Sequence, residues 1–234
     1  MKMDKNDCLI IFMKWPEKGK VKSRLAAGLD ENVVLDLYKC FVEDLLQTLK
    51  RAGFRPIIAF YPSEAGDKIA EWLGDEYIYM PQTGANLGTR MKNAFTQAFA
   101  QECSRVVLIG SDVPDLPVEI IRDAFTSLKD YDAAIGPARD GGYYLIGFSN
   151  NSFLPRIFDD IPWSTAVVFT RTIEILREEG CEVRQLPFWR DIDRPEDVVD
   201  LIKRSRDNAF MQSKTIACLT RLDMFNILSL DAEK

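Results

Sequence analysis

Three groups of charged residues in this chain have the types and spacing to do chemistry. The first is basic. Lys14, Lys18, Lys20, Lys22 and Arg24 fall within a short stretch in which the only acid is Glu17. Arg24 offers a planar fork suited to two phosphate oxygens, while Lys14 and Lys22 act as point charges. Gly19 lets the backbone approach a ligand closely. If Ser23 opens a helical turn, its free N–H groups add to the pull on an anion. The second group is Gly110-Ser111-Asp112-Val113-Pro114-Asp115, and the third is Asp191-Ile192-Asp193-Arg194-Pro195-Glu196-Asp197. Carboxylates such as these bind a divalent cation, and the cation can bridge two phosphates.

Each group also has a plainer reading. A run of lysines is often a solvated loop. Asp115 stands close to a helix start and can cap it. Asp193, Glu196 and Asp197 can cap and charge-pair the helix that Pro195 opens. Asp112 is harder to explain by packing, because it follows the continuously apolar Val106-Val107-Leu108-Ile109. Asp191 and Asp193 are two apart, so on an extended segment their side chains share a face.

Composition narrows the chemistry. The 234 residues contain no histidine. Ser-His and Cys-His catalysis and histidine metal sites are therefore excluded. Acid–base work falls to Asp, Glu, Lys, Tyr or Cys, and a metal held by carboxylates is Mg²⁺ or Mn²⁺. The net charge of -6 repels a nucleic acid on average. The five cysteines are scattered and odd in number, which argues against a disulfide framework and for a reducing, cytoplasmic setting. No apolar run approaches the roughly 18 residues that cross a membrane. Cys8 to Met13 is too short for a signal peptide and reads as a first strand.

Two further segments carry candidates. Gln82, Asn86 and Arg90 surround Gly84 and Gly88 between a strand and a helix, and can touch a base, ribose or phosphate. Asp140-Gly141-Gly142-Tyr143 joins two strands. It is a good turn without any function, but two glycines also let backbone meet a bulky substrate. Asp140 can bind a sugar hydroxyl or act as a base. Trp163 and Ser164 can wall an acceptor pocket, or Ser164 and Thr165 can cap a helix.

These groups must be positioned by an alternation of apolar runs and amphipathic stretches, which predicts strand–helix units around a mainly parallel sheet. Strands are expected at 9–13, 56–61, 77–80, 105–109, 133–136, 143–148 and 182–187. Helices are expected at 31–50, 64–73, 87–100, 117–128, 165–179 and 195–206. Pro117 and Pro195 suit first turns, and Gly53 and Gly180 suit helix ends. Residues 1–206 read as one domain. In 207–234, Ile216, Leu219, Leu222, Phe225 and Leu228 recur at helical spacing, as a helical tail that packs on the domain or pairs two copies into a homodimer.

Taken in order, the segments resemble a known family. They run from Phe12-Met13-Lys14 through Lys22-Ser23-Arg24-Leu25, Gln82 and Leu87-Gly88-Thr89-Arg90-Met91. Gly110-Ser111-Asp112, Asp140-Gly141-Gly142-Tyr143, Trp163-Ser164-Thr165 and Asp191-Ile192-Asp193 follow. The resemblance, over about residues 8 to 205, is to the bacterial glycosyltransferase-A-like family often labelled radical-SAM or selenodomain-associated transferases. It implies a nucleotide-diphospho-sugar transferase fold, a Rossmann-like α/β three-layer sandwich with a mostly parallel sheet. It implies that Lys22 and Arg24 hold nucleotide phosphates, that Asp112 binds Mg²⁺ or Mn²⁺, and that Asp193 is the second ligand. Gly19 stands alone among basic residues where related nucleotidyltransferases carry a glycine-rich loop.

The leading expectation is glycosyl transfer from a nucleotide-sugar to an acceptor, with Asp112 and Asp140 catalytic. Lys14, Gly19, Lys22, Arg24, Gln82 and Arg90 would bind the nucleotide. Gly141, Gly142, Tyr143, Trp163 and Ser164 would bind the acceptor. One alternative is nucleotidyl transfer from an NTP with release of pyrophosphate. Another is a nucleotide-binding module without turnover.

Overall fold

The structure is a computed structural model that describes Asp4 and residues 6–221. Seven strands form one sheet: β1 (Asp7–Lys14), β2 (Ile57–Tyr61), β3 (Ile78–Pro81), β4 (Arg105–Gly110), β5 (Ala133–Pro137), β6 (Tyr143–Ser149) and β7 (Val183–Gln185). Their spatial order is β3-β2-β1-β4-β6-β5-β7. Only β6 runs against its neighbours; the remaining pairs are parallel. The C-terminal ends of the other six strands therefore share one edge. The expected mainly parallel sheet is present.

Alternation along β1 explains the layers. Leu9, Ile11 and Met13 point to one face and Ile10 and Phe12 to the other, the period of a pleated strand. Both faces are covered, so the middles of β1 (Cys8 to Met13) and β4 (Val106 to Ile109) are apolar. The first face carries α2 (Glu31–Arg51), α3 (Gly66–Leu73), α5 (Val118–Ser127), α7 (Pro195–Ser205) and α8 (Lys214–Arg221). The second carries α4 (Leu87–Ala100) and α6 (Val168–Glu178). A short helical turn, α1 (Ser23–Ala26), follows the first loop.

Local signals account for several boundaries. The Asp30 carboxylate accepts from Asn32 N–H at 2.8 Å and starts α2. Asn86 does the same for Thr89 N–H and starts α4. Gly53 and Gly180, at φ 84° and 74°, sit just beyond α2 and α6 in the conformation that ends helices.

Three expectations are corrected. First, α6 begins at Val168 rather than Thr165. Ser164 adopts φ 66° and the Thr165 hydroxyl donates to the Pro162 carbonyl at 2.6 Å, so both belong to a turn and neither caps the helix. Second, Pro117 precedes the first turn of α5 instead of lying in it. Third, Cys8 and Cys103 form a disulfide. The cysteines lie 95 residues apart in sequence with Cα atoms 6.0 Å apart. They meet because β1 and β4 pair in register with Cys8 opposite Val106, which residue spacing does not reveal. The cysteine count thus no longer argues for a reducing compartment.

The described part of the tail packs on the same chain. Ile216 and Leu219 are buried with α2. The buried Asp44 carboxylate accepts from Lys214 N–H at 2.9 Å and Thr215 N–H at 2.7 Å, capping α8. Leu222, Phe225 and Leu228 lie outside the described residues. No described helix is long and apolar enough to cross a membrane.

Candidate functional site

The loop after β1 is built to aim one lysine inward. Trp15 N–H donates to the Tyr61 carbonyl at 2.7 Å, tying the loop to the end of β2. Val21 and Leu25 are buried and anchor it in the core. Gly28 is pressed against Pro195 of α7; a Cβ there would lie 2.8 Å from Pro195 Cγ. Between these anchors Lys18 pairs with Glu31 at 4.0 Å and Lys20 with Glu17 at 2.9 Å. The Lys22 side chain instead points inward and is only 4% exposed. Its φ is 51°, a left-handed conformation that costs a non-glycine residue about 1–2 kcal/mol. Strain of this kind is retained where the surroundings hold it for a purpose.

Lys22 aims at the end of β4 and at the segment that follows β7. Lys22 Nζ is 2.8 Å from Asp112 Oδ1 and 3.9 Å from Asp193 Oδ1. Arg24 Nη1 donates to Asp193 Oδ2 at 2.9 Å. Ile192, fully buried, donates its N–H to the Asp112 carbonyl at 2.9 Å. This bond lays the 191–193 segment beside the β4 terminus. Asp191 shares the neighbourhood. Burial raises its carboxyl, Asp140 adds to the rise, Lys22 opposes it and Asp112 adds again, leaving it at about 6.

Tyr38, on α2, completes this corner, and no sequence spacing marked it. Its hydroxyl accepts from Lys14 N–H at 3.0 Å and lies 3.1 Å from Ser111 Oγ. It thereby joins the ends of β1 and β4. Burial first, and the Asp112 charge second, raise its pKa, so the group stays a neutral hydroxyl.

Other candidates have clear structural partners. Asp115 caps no helix. It makes a two-pronged pair with Arg204 on α7, at 2.6 and 3.0 Å, and accepts from Trp189 Nε1 at 3.3 Å. Asp197 accepts from the N–H groups of Asp193 at 3.0 Å and Arg194 at 2.7 Å. It closes the capping box of α7 from the third helical position, behind Arg194 at the cap.

The β3–α4 segment forms a second patch on the same edge. Gln82 is buried, and its amide nitrogen donates to the carbonyls of Met13 at 3.2 Å and Ala59 at 2.8 Å. It braces the ends of β1 and β2. Arg90 donates to the Gly84 carbonyl at 3.0 Å and stacks on the Tyr61 ring, 3.6 Å from its centroid.

The expected acceptor residues also converge. Gly141 has φ +84°, and a Cβ there would lie 2.1 Å from the Ala166 carbonyl oxygen. Its missing side chain makes room for protein rather than for open space. Phe169 N–H donates to the Gly141 carbonyl at 2.8 Å, and Asp140 Oδ1 accepts from Gly142 N–H at 2.9 Å. Trp163 meets Tyr143 edge to face at 6.4 Å. It also fills the space over Gly88, where a Cβ would sit 2.4 Å from its Nε1. Burial raises the Tyr143 hydroxyl. Ser164 is exposed beside this wall.

Residues 45–165 match a family described as an uncharacterized protein conserved in bacteria (DUF2064). That span includes Asp112 and Asp140 but not Lys22 or Asp193. The chain is 32% identical over 187 residues to the 2-phospho-L-lactate guanylyltransferase of Methanopyrus kandleri, covering 79% of this chain and 86% of the relative. It superposes with a TM-score of 0.90 on a crystal structure from Desulfovibrio desulfuricans G20, provisionally described as a nucleotide-diphospho-sugar transferase. The identity is 42%, over 94% of this chain and 96% of that one. A 4-diphosphocytidyl-2C-methyl-D-erythritol synthase from Anaerococcus prevotii shares the fold, with a TM-score of 0.56 at 14% identity over 83% of this chain and 95% of the other.

Proposed function

The chain belongs to the DUF2064 family, and we propose that it is a nucleotidyltransferase, an enzyme in which an acceptor oxygen attacks the α-phosphate of an NTP. The attack forms a phosphorus–oxygen bond to the acceptor and breaks the bond to the β-phosphate, and pyrophosphate leaves. The observation that carries the reading is the Lys22 ammonium held 2.8 Å from Asp112 and 3.9 Å from Asp193, at the mouth of a basic loop. Such a site suits phosphate and a cation together.

The named guanylyltransferase relative supports nucleotidyl over glycosyl transfer, and so reverses the order expected from sequence. Chemistry agrees. A phosphate acceptor is already ionised and needs no base, and Asp140, the expected base, is engaged by Gly142 N–H. Glycosyl transfer is the second reading, favoured by the description of the 42%-identical structure.

In this reading Arg24, with Lys14, Lys18 and Lys20, binds the β- and γ-phosphates. Lys22 answers the charge that grows on the departing pyrophosphate. The Arg90–Tyr61 stack borders the nucleotide. Trp163, Tyr143 and the 140–142 turn form the acceptor wall. The carboxylates also fit a divalent cation. Among the described residues no three His, Cys, Asp or Glu side chains form a complete cage, but Mg²⁺ typically takes one or two carboxylates and completes its shell with phosphate and water. Asp112 and Asp193 already share one cationic group, and would hold the ion. Mg²⁺ or Mn²⁺ bound there would offset the phosphate charge.

Pyrophosphate release tests the proposal. The purified chain would be supplied with Mn²⁺, each NTP in turn, and 2-phospholactate or other phosphate monoesters. Pyrophosphate with one NTP, reduced about 10²–10³-fold in Asp112→Ala, is expected. Release of a nucleoside diphosphate from UDP- or GDP-sugars, with no pyrophosphate from any NTP, would favour glycosyl transfer instead.

A further inference from the structure

We infer that Lys22 is an internal counter-cation that occupies the divalent-cation position between Asp112 and Asp193, so that metal binds tightly only when phosphate oxygens draw the ammonium away. The inference rests on the phosphate-and-cation reading of the site. Three observations lead to it. The ammonium is within direct contact of Asp112 and 3.9 Å from Asp193. A metal held by those carboxylates would compete with the ammonium for the same negative charge. The side chain is 4% exposed and cannot trade its carboxylates for water where it stands. The loop is anchored on both sides, by Val21, Leu25 and Gly28, and holds Lys22 in a left-handed conformation. The aim is therefore built into the fold.

The consequence is a binding order. The ammonium already answers the charge of these carboxylates from 2.8 Å, so the nucleotide-free protein binds Mg²⁺ and Mn²⁺ weakly. A triphosphate gives the ammonium a new partner at the adjacent basic loop. The carboxylates it leaves then face the ion that accompanies the phosphates. Nucleotide and metal thus bind with positive coupling, and neither carboxylate is left uncompensated.

Manganese binding tests this without any turnover. Free Mn²⁺ would be counted by electron paramagnetic resonance against wild type, Lys22→Met and Lys22→Gln, with no nucleotide and then with GTP. Both variants should bind one Mn²⁺ roughly tenfold or more tighter than wild type without nucleotide, since each removes a unit charge from the ion's own place. Adding Asp112→Asn to Lys22→Gln should abolish the gain. GTP should tighten Mn²⁺ binding in wild type and do so far less in the variants. Equal Mn²⁺ affinity in wild type and both variants would overturn the inference, and so would a gain that survives Asp112→Asn. A gain in the variants with no effect of GTP or any other NTP in wild type would overturn the binding order.

Discussion

The Ile192 N–H donates to the Asp112 carbonyl at 2.9 Å, and this bond lays the segment bearing two acidic side chains beside the terminus of β4. The two residues lie far apart in sequence, on segments that follow β4 and β7. Ile192 is fully buried, so its side chain acts as the peg and its backbone as the tie. Asp193 is thereby set beside Lys22 and Arg24, and Asp191 within the influence of Asp140 and Asp112.

Ile192→Ala should therefore damage stability and the site together. Loss of a fully buried isoleucine side chain costs about 2–5 kcal/mol. The midpoint of urea denaturation should fall accordingly. Pyrophosphate release should fall by more than the unfolded fraction accounts for, because both carboxylates lose their register. A destabilised variant whose folded fraction keeps full activity would show that the peg does not set the site.

Tyr38→Phe removes the hydroxyl that accepts from Lys14 N–H and approaches Ser111. A buried donor left unpaired costs about 1–3 kcal/mol. Unfolding free energy in urea should fall by that much, and KM for the NTP should rise while acceptor KM stays unchanged. The phenylalanine ring fills nearly the same volume, so packing loss does not confuse the result. Steady-state kinetics with either substrate varied make the distinction.

Gly141→Ala places a methyl group where the Ala166 carbonyl oxygen lies 2.1 Å away, at φ +84°. The turn must open, at a cost of about 1–3 kcal/mol. The acceptor wall of Trp163 and Ser164 moves with it. Acceptor KM should rise at least several-fold with little change in NTP KM. An unchanged acceptor KM would remove the 140–142 turn from the acceptor site.

Asp191→Asn should stabilise the protein at high pH. The Asp191 carboxyl is raised from 3.8 to about 6, by burial first, then by Asp140 against the opposing Lys22, then by Asp112. A raised carboxyl means that the folded state disfavours the charge. The penalty is absent below the unfolded value, grows between about 4 and 6, and is complete above 6. A two-unit rise corresponds to about 3 kcal/mol at most, and partial solvent access reduces this to about 2. In EDTA, the gain in Tm should thus appear at pH 8 and vanish at pH 4. A gain equal at both pH values would point to packing instead.

Much of the scaffold was legible because it depends on local pattern. Val106 to Ile109 read as a doubly covered strand, and β4 is one. Leu87 to Ala100 read as a helix with those limits, because the apolar residues keep helical spacing; Asn86, read from sequence as a ligand contact, is its cap. Ser164 and Thr165 misled because a Ser-Thr pair before an amphipathic run is an ordinary helix start. Here Trp163 is held against Gly88 and Tyr143, and that long-range contact keeps the chain in a turn. Asp115 misled for the same reason: its partner, Arg204, lies on a helix much further along the chain.

The sequence by itself determined the strand–helix alternation, the absence of histidine chemistry, and which loops carry the basic and acidic groups. Residue type, hydrophobic period and turn propensity are local properties, and they are readable in order along the chain. Only the tertiary structure decided that Lys22, rather than Lys18 or Lys20, turns inward, that Cys8 meets Cys103, and that Tyr38 joins β1 to β4. Those outcomes follow from sheet order and from which side chains the core excludes from water. Pairings between strands and burial at their ends are set by the whole packed molecule, which no stretch of residues encodes alone.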